Sequence, residues 1–250
     1  MIAPVMSSEP YAARNRKLVT EALSIVDSSA VAGLDVRILG GLGILLHDQK
    51  LLARGGSRPV NDIDLIVPSG QHRGIAELLV ARDYMPEERF NALNGHRRLV
   101  FHGPLADVDV LVGIFEMCHR IDMGPRLSLD RPSLPVTDLL LTKLQIVKLN
   151  EKDLLDIVDL VAGHELGRGH GDWIDADRLE ALVRDDWGLW RTITGTIGTV
   201  LASGAPAVVE ERLTTLREAL HASTKSTRWR LRARIGDRVP WYVLPDEVNQ

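Results

Sequence analysis

The stretch RPVNDIDLIVP, residues 58–68, poses the problem on which the fold turns. An aliphatic, strand-like run opens with two aspartates spaced two positions apart. Alternate side chains of an extended chain share a face. Asp62, Asp64 and Ile66 therefore line one side, and Ile63, Leu65 and Val67 the other. Neighbouring carboxylates repel, and a partly buried pair needs a cation or a shared proton. A second run repeats the pattern: Asp107 and Asp109 fall on one face, with Val108, Val110 and Val112 on the other. Adjacent strands of this kind gather three or four carboxylates within a few ångströms. Such an anionic, oxygen-rich cluster is what Mg²⁺ prefers. Two ions about 4 Å apart can clamp the attacking and leaving oxygens of a phosphoryl transfer. The alternative is plain strand ends whose acids are satisfied by water or arginine. A third triplet, Asp175-Ala-Asp177, reads as a chance match at a solvated helix start.

Upstream, RILGGLGILLH (residues 37–47) reads as a strand that meets Gly40-Gly41 and enters a helix. A helix N-terminus offers backbone N–H groups to an anion, and glycine lets the anion come close. A simple strand–helix turn is the other reading. No Gly-Lys-Ser/Thr follows, so it is not a P-loop, and Leu46 stands where a dinucleotide fingerprint needs its third glycine. The helix is expected to continue through LGILLHDQKLLA to a loop, RGGSRPV, whose Arg58 either meets a phosphate or balances Asp62. Residues 14–26 read as an amphipathic helix, HRGIAELLVARD as another, and RRLVFHG as a strand before the second acidic run.

Hydrophobic residues make up 45% of the 250 and charged ones 26%, with a net charge of −4, which excludes a disordered chain and any global basic field. A single cysteine, Cys118, rules out an internal disulfide and suits a reducing compartment. The N-terminal MIAPVMSSEPYAARNRK lacks the apolar run of a signal peptide. No segment approaches the roughly 20 apolar residues of a membrane span. The expectation is a cytoplasmic protein with no membrane partner.

Strand, Gly-Gly, helix, Asp-x-Asp strand and a later acidic strand together resemble the DNA polymerase β-like nucleotidyltransferase superfamily. The residues that carry the resemblance are LGG at 39–41, DIDL at 62–65 and DVDV at 107–110. It implies an α/β (α+β) fold: a small mixed β-sheet core followed by a C-terminal helical domain. It also implies that Gly40 and Gly41 seat nucleotide phosphates and that Asp62 and Asp64 bind Mg²⁺, two ions or Mn²⁺ in their place. Asp109 becomes the third carboxylate, metal ligand and base toward an acceptor hydroxyl, with Asp107 as its rival. One departure stands out: twenty residues lie between Gly41 and Asp62, so the loop carrying Arg58 is longer than in many members.

Near Pro132 the texture changes. RPSLPVTD reads as a linker, and helical periodicity follows over 138–150, 152–161, 176–185, 188–202 and 206–222. The expected domains are 1–130 (α/β), 131–224 (helical) and 225–250 (a basic arm). On a helix continuing past it, Lys143 has Leu139, Leu140, Ile146 and Val147 as its neighbours three and four away, so an ammonium projects from an apolar stripe. Such a charge needs an anion, either a bound triphosphate or the carboxylates of the N-terminal half, unless it snorkels at a seam. TKLQ, with Asp153 ten residues after Lys143, resembles the AbiEii/MenA-type nucleotidyltransferases of type IV toxin–antitoxin systems. That resemblance makes Lys143 and Asp153 functional positions, Asp153 orienting Lys143 or the acceptor. It also raises an RNA or tRNA acceptor, an NTP donor and an antitoxin partner. The stretches FNALNGHRRLVF, MCHRIDM and LLLTKLQIVKLNEKDL are similar to an uncharacterised bacterial nucleotidyltransferase-like family, and resemblance covers roughly residues 36–165. An aminoglycoside-type small-molecule transferase and a non-catalytic nucleotide-binding protein are the competing functions.

Three further features carry less. His164 and His170 are six apart across glycines, which does not suit a helical zinc site. Cys118 and His119, adjacent on an expected strand, would point to opposite faces. In the arm, RWRLRAR reads as extended, with Arg228, Arg230, Arg232 and Arg234 on one face, for a phosphate backbone or for surface acids, and Trp229 turned inward.

Overall fold

Period-two patterning builds the centre of the fold. The computed structural model describes residues 9–244. These form two compact units, one of residues 9–115 and 121–135, the other of 116–120 and 136–244.

The first unit opens with helix α1 (Glu9–Val31), longer at both ends than its apolar stripe predicts, followed by β1 (Arg37–Ile38). Next come α2 (Gly40–His47), α3 (Gln49–Arg54), β2 (Ile63–Val67), α4 (His72–Ala81), β3 (Met85–Pro86), α5 (Glu88–Asn94), β4 (Arg98–His102) and β5 (Val108–Val112). The helix expected to run unbroken from residue 42 is instead two helices. Asp48 lies outside helical geometry and caps α3, accepting the Lys50 and Leu51 N–H groups at 2.8 and 3.0 Å. Its short side chain competes for local backbone donors, and that favours a new helix start over continuation.

Five strands form one mixed sheet in the order β1-β2-β5-β4-β3. Only the central pair, β2 and β5, is parallel. Ile63, Leu65, Val67, Val108, Val110, Leu99 and Phe101 are all buried, so one face of the sheet is part of the core. α1 and α4 contribute Leu18, Ile25, Ile75 and Leu79 to that core. The segment read as a linker is not loose. Ile38 donates to Pro132 O at 3.0 Å and accepts from Leu134 N–H at 3.0 Å, so residues 132–134 pair along β1. β6 (Ile114–Glu116) and β7 (Arg120–Asp122) form a separate two-stranded sheet.

The second unit is helical: α6 (Val136–Leu144), α7 (Glu151–Gly163), the short parallel pair β8 (Leu166–Gly167) and β9 (Ile174–Asp175), then α8 (Ala176–Asp185), α9 (Trp187–Ala202), α10 (Ala207–Ala222) and α11 (Thr227–Ile235). The helix expected over 138–150 ends at Leu144. Gln145 is buried, and its side chain donates to Thr142 O and accepts the His119 N–H. Asn150 then starts α7 through a reciprocal cap, accepting the Asp153 N–H at 2.9 Å while Asp153 accepts the Asn150 N–H at 3.4 Å. Asp175 does sit at a helix start, but it is buried rather than solvated, capping α8.

The basic arm corrects its expectation. It is a helix, not an extended stripe: Arg, Leu and Ala are good helix formers, and Ser226 caps the first turn by accepting the Trp229 N–H. At 3.6 residues per turn Arg228 pairs with Arg232 and Arg230 with Arg234, on different sides of α11. Trp229 packs edge-on against Trp190 of α9, ring centroids 5.1 Å apart. No helix among the described residues is long and apolar enough to cross a membrane.

Candidate active site

On the other face of the sheet Ile66 is buried, but polar side chains gather toward the starts of β2 and β5. In the parallel pairing of β2 with β5, Asp64 stands directly beside Asp109, and Ile63 beside Val108. Register partners project to the same side, so the two carboxylates are neighbours, each half-buried between buried aliphatic residues. Asp62 and Asp107 lie just before the two strands and are exposed. Ile63 N–H donates to Asp107 O at 2.9 Å, which ties the strand mouths together.

One cation beside this cluster is a side chain. Arg98, on β4, forks onto Asp109 with Nε 2.8 Å from Oδ1 and Nη2 on Oδ2. In the antiparallel pairing Val100 faces Asp109 and Arg98 faces Leu111, so the guanidinium reaches diagonally to the acid. Its pKa is raised, first by the hydrogen bonds to Asp109, against opposition from burial, and then by attraction to Asp109, Asp64 and Asp62. One guanidinium thus feels all three carboxylates. Arg98 is held in turn by α5: Phe90 lies 5.9 Å beneath it, and Asn91 brackets Val100, donating to its carbonyl and accepting its N–H, each at 2.8 Å. Further along the same face His102 stands between Asp107 (3.1 Å) and Glu87 (3.4 Å). Those hydrogen bonds, Asp107 first, raise its pKa.

The glycine turn abuts the acids. Gly40 has φ +62°, and a Cβ there would lie 2.0 Å from Asp64 Oδ2. Only glycine combines that backbone with that approach. The N-cap of α2, Leu39, gives no side-chain cap, and its N–H donates to Asp64 O at 3.0 Å. A Cβ on Gly41 would come within 2.9 Å of Arg58 Nη2, so Arg58 lies over the first turn of α2. The long loop is held by fully buried Asn15 of α1, which donates to Gly55 O and Arg58 O and accepts the Val60 N–H. Asp62, Asp64, Asp109, Gly40, Gly41 and Arg58 therefore fall in one region of the first unit.

Lys143 and Asp153 belong to the second unit. The Lys143 ammonium is 3.1 Å from Asp153 and 2.9 Å from Asp156, both on α7. Its direct partners are thus carboxylates of α7. Burial disfavours the charge, but Asp156 and then Asp153 more than offset this, and the pKa is raised. Cys118 and His119 lie in a bend at the tip between β6 and β7, not on a strand. His119 Nε2 is 2.8 Å from Thr192 Oγ1, and burial lowers its pKa. His164 is buried at the end of α7 with Nδ1 on Leu160 O, whereas His170 is exposed.

No protein-family model matches the chain, and no curated protein matches it. Among solved structures, the crystal structure of an antigenic nucleotidyltransferase-like protein from Paracoccidioides brasiliensis aligns over 84% of this chain and 94% of its own, at 13% identity and a TM-score of 0.43. A likeness that loose says nothing of activity, which rests on the residues themselves.

Four functional candidates are absent from the sequence reading: Arg98, His102, Asn15 and Asp156. Arg98 and His102 had a usable signal. Alternation through RRLVFHG puts Arg98, Val100 and His102 on one face of a strand beside the second acidic run. Asn15 had none, because its partners lie 40 and 43 residues away.

Proposed function

We propose that the protein is a nucleotidyltransferase that moves a nucleoside monophosphate from an NTP to an acceptor hydroxyl. The observation that carries this reading is the in-register pair Asp64–Asp109 with Gly40 pressed against Asp64. In this reading a bond forms between the acceptor oxygen and the α-phosphorus, the bond from that phosphorus to the β-phosphate bridging oxygen breaks, and pyrophosphate leaves. The acceptor proton passes to a carboxylate of the cluster, Asp109 in the first instance.

Carboxylate oxygens are the donors a hard divalent cation takes, but as the side chains stand Asp62, Asp64 and Asp109 do not bring three ligand atoms within 4.8 Å of one another, and Arg98 occupies Asp109. Asp62 and Asp64 would hold Mg²⁺, or Mn²⁺, with Asp109 completing the set. The ion would supply charge neutralisation on the transferring phosphoryl group. The chain's own residues do the rest. The first turn of α2 presents backbone donors to phosphate, and Arg58 adds a cation beside it. Arg98 keeps Asp109 oriented, and the carboxylate retains lone pairs beyond those the fork takes. Lys143 is already matched by two carboxylates, so with Asp153 it serves to hold α6 against α7. Contributions of this kind are positioning and electrostatics, which dominate phosphoryl transfer.

An RNA acceptor, with tRNA first among them, fits the resemblance to type IV toxins, as does an antitoxin partner. The test is incubation with each α-labelled NTP, Mg²⁺ and total RNA or aminoglycosides. Label on RNA that Asp64→Asn abolishes supports the reading, and label on the small molecule alone redirects it. A second reading has its own observation. Arg98 already neutralises Asp109, as it would in a nucleotide-binding protein that keeps this sheet without turnover. Nucleotide binding that Asp64→Asn weakens, with no transfer to any acceptor, favours that reading.

A further inference from the structure

The second unit contains a pocket of about 470 Å³ that the proposed transfer does not use. Every residue lining it lies within that unit. Its inner wall is formed by His119, Trp187, Trp241 and Tyr242, with Arg120, Arg228, Asp185 and Asp186 exposed around the rim.

The wall is braced. Trp187 and Trp241 meet edge-on at 5.8 Å, and Trp241 meets Tyr242 at 5.2 Å. Trp241 Nε1 donates to Thr192 Oγ1 at 3.1 Å, the hydroxyl that also contacts His119 Nε2. Arg232 stacks on Trp187 at 4.6 Å and donates to the carbonyls of Gly236 and Val239, both at 2.8 Å. The Val243 N–H donates to Cys118 O at 3.1 Å and ties the C-terminal segment down. Arg232 and Asp186 have protein partners, the latter accepting the Leu189 N–H as the cap of α9. By contrast the Arg120 and Arg228 side chains make no ion pair or hydrogen bond with other described residues.

We infer that this pocket binds a nucleotide, the aromatic base against the Trp241–Tyr242 wall and the phosphate at Arg120 and Arg228. Three chemistries on the page select that class together. An aromatic wall takes a planar π-surface. Two uncommitted guanidinium groups take an anion. Rim carboxylates, acceptor-only when ionised, take the hydroxyl and exocyclic amino donors that ribose and base offer. An apolar ligand would strand the arginines, and inorganic phosphate would leave the aromatic wall unused. The nucleotide arrives either free or as one unit of a single-stranded RNA. The inference stands on the pocket and does not rest on the proposed transfer.

Calorimetric titration of the full chain in EDTA tests it, with the four ribonucleoside 5′-monophosphates, the matching nucleosides and a single-stranded hexaribonucleotide as probes. A free-nucleotide site binds a monophosphate at least tenfold more tightly than its nucleoside. A strand-reading site binds the hexamer and not the monophosphates. In both cases Arg120→Glu/Arg228→Glu, at exposed positions that leave the fold intact, weakens binding tenfold or more, and Trp241→Ala does likewise. Asp64→Asn leaves it unchanged, which separates this pocket from the sheet face. Three outcomes overturn the inference: no binding of any probe, binding indifferent to the charge reversals, or a nucleoside that binds as tightly as its monophosphate.

Discussion

Asp64 and Asp109 occupy one register position on adjacent parallel strands, which makes two half-buried carboxylates immediate neighbours. Such a pair is costly to the fold and is retained where chemistry requires it. Asp64→Asn should lower NTP label transfer by more than about 100-fold. The melting temperature of the same variant should change little, because the relief of like-charge repulsion is set against the lost attraction to Arg98. Turnover and thermal unfolding of one preparation check both halves.

Arg98 competes with any cation for Asp109, so its removal should tighten metal binding. Arg98→Ala is expected to bind Mn²⁺ several-fold more tightly than the parent chain in a calorimetric titration. Equal affinities would show that the fork does not compete with the metal.

Gly40→Ala meets two obstacles, a left-handed φ of +62° and the Asp64 carboxylate 2.0 Å from the new Cβ. Gly70→Ala is the control, since φ is +97° there and nothing lies within 4 Å of its Cβ. The control should lose about 1–2 kcal/mol from backbone strain alone. Gly40→Ala should lose more and should also displace Asp64, so that nucleotide binding falls with stability. Urea unfolding of the two variants separates strain from collision.

Lys143→Met removes the cation that Asp153 and Asp156 share, at a cost of about 3–5 kcal/mol. Replacing both acids by Asn in the same chain should recover much of it. The pH dependence has a definite sign. Because the folded pKa of Lys143 is raised above 10.5, its stabilisation is complete below pH 10.5 and is lost as pH climbs through the folded value. Urea midpoints at pH 8 and pH 11 should therefore drop in the parent chain more than in the triple variant.

His102 should titrate above its ordinary value of 6.5, since protonation lets both ring nitrogens donate, to Asp107 and to Glu87. Its contribution is present below pH 6.5 and fades as pH rises through the raised value. It is small, because the ring is nearly half exposed. An imidazole proton NMR titration should show the high midpoint, and Asp107→Asn should bring it back toward 6.5.

The sequence by itself determined which way the side chains of each central strand face. Period-two alternation is local, so Ile63, Leu65 and Val67 had to go inward and Asp64 outward whatever β2 paired with. The glycine turn was equally legible, since Gly40-Gly41 closes a strand and opens a helix within four residues. Where local signals competed, the reading failed: Asp48 and Asn150 start new helices inside apparently continuous stripes, and RWRLRAR alternates in charge while its residue types favour a helix.

Only the tertiary structure decided what stands next to what. Nothing local selects the register that sets Asp64 beside Asp109, or picks Arg98 from all the basic residues as their counter-charge. On one unbroken helix Lys143 and Asp153 would lie about 15 Å apart; the break after Leu144 brings them to 3.1 Å. Periodicity along a chain encodes a face, whereas the partner across that face depends on pairing and packing between segments distant in sequence.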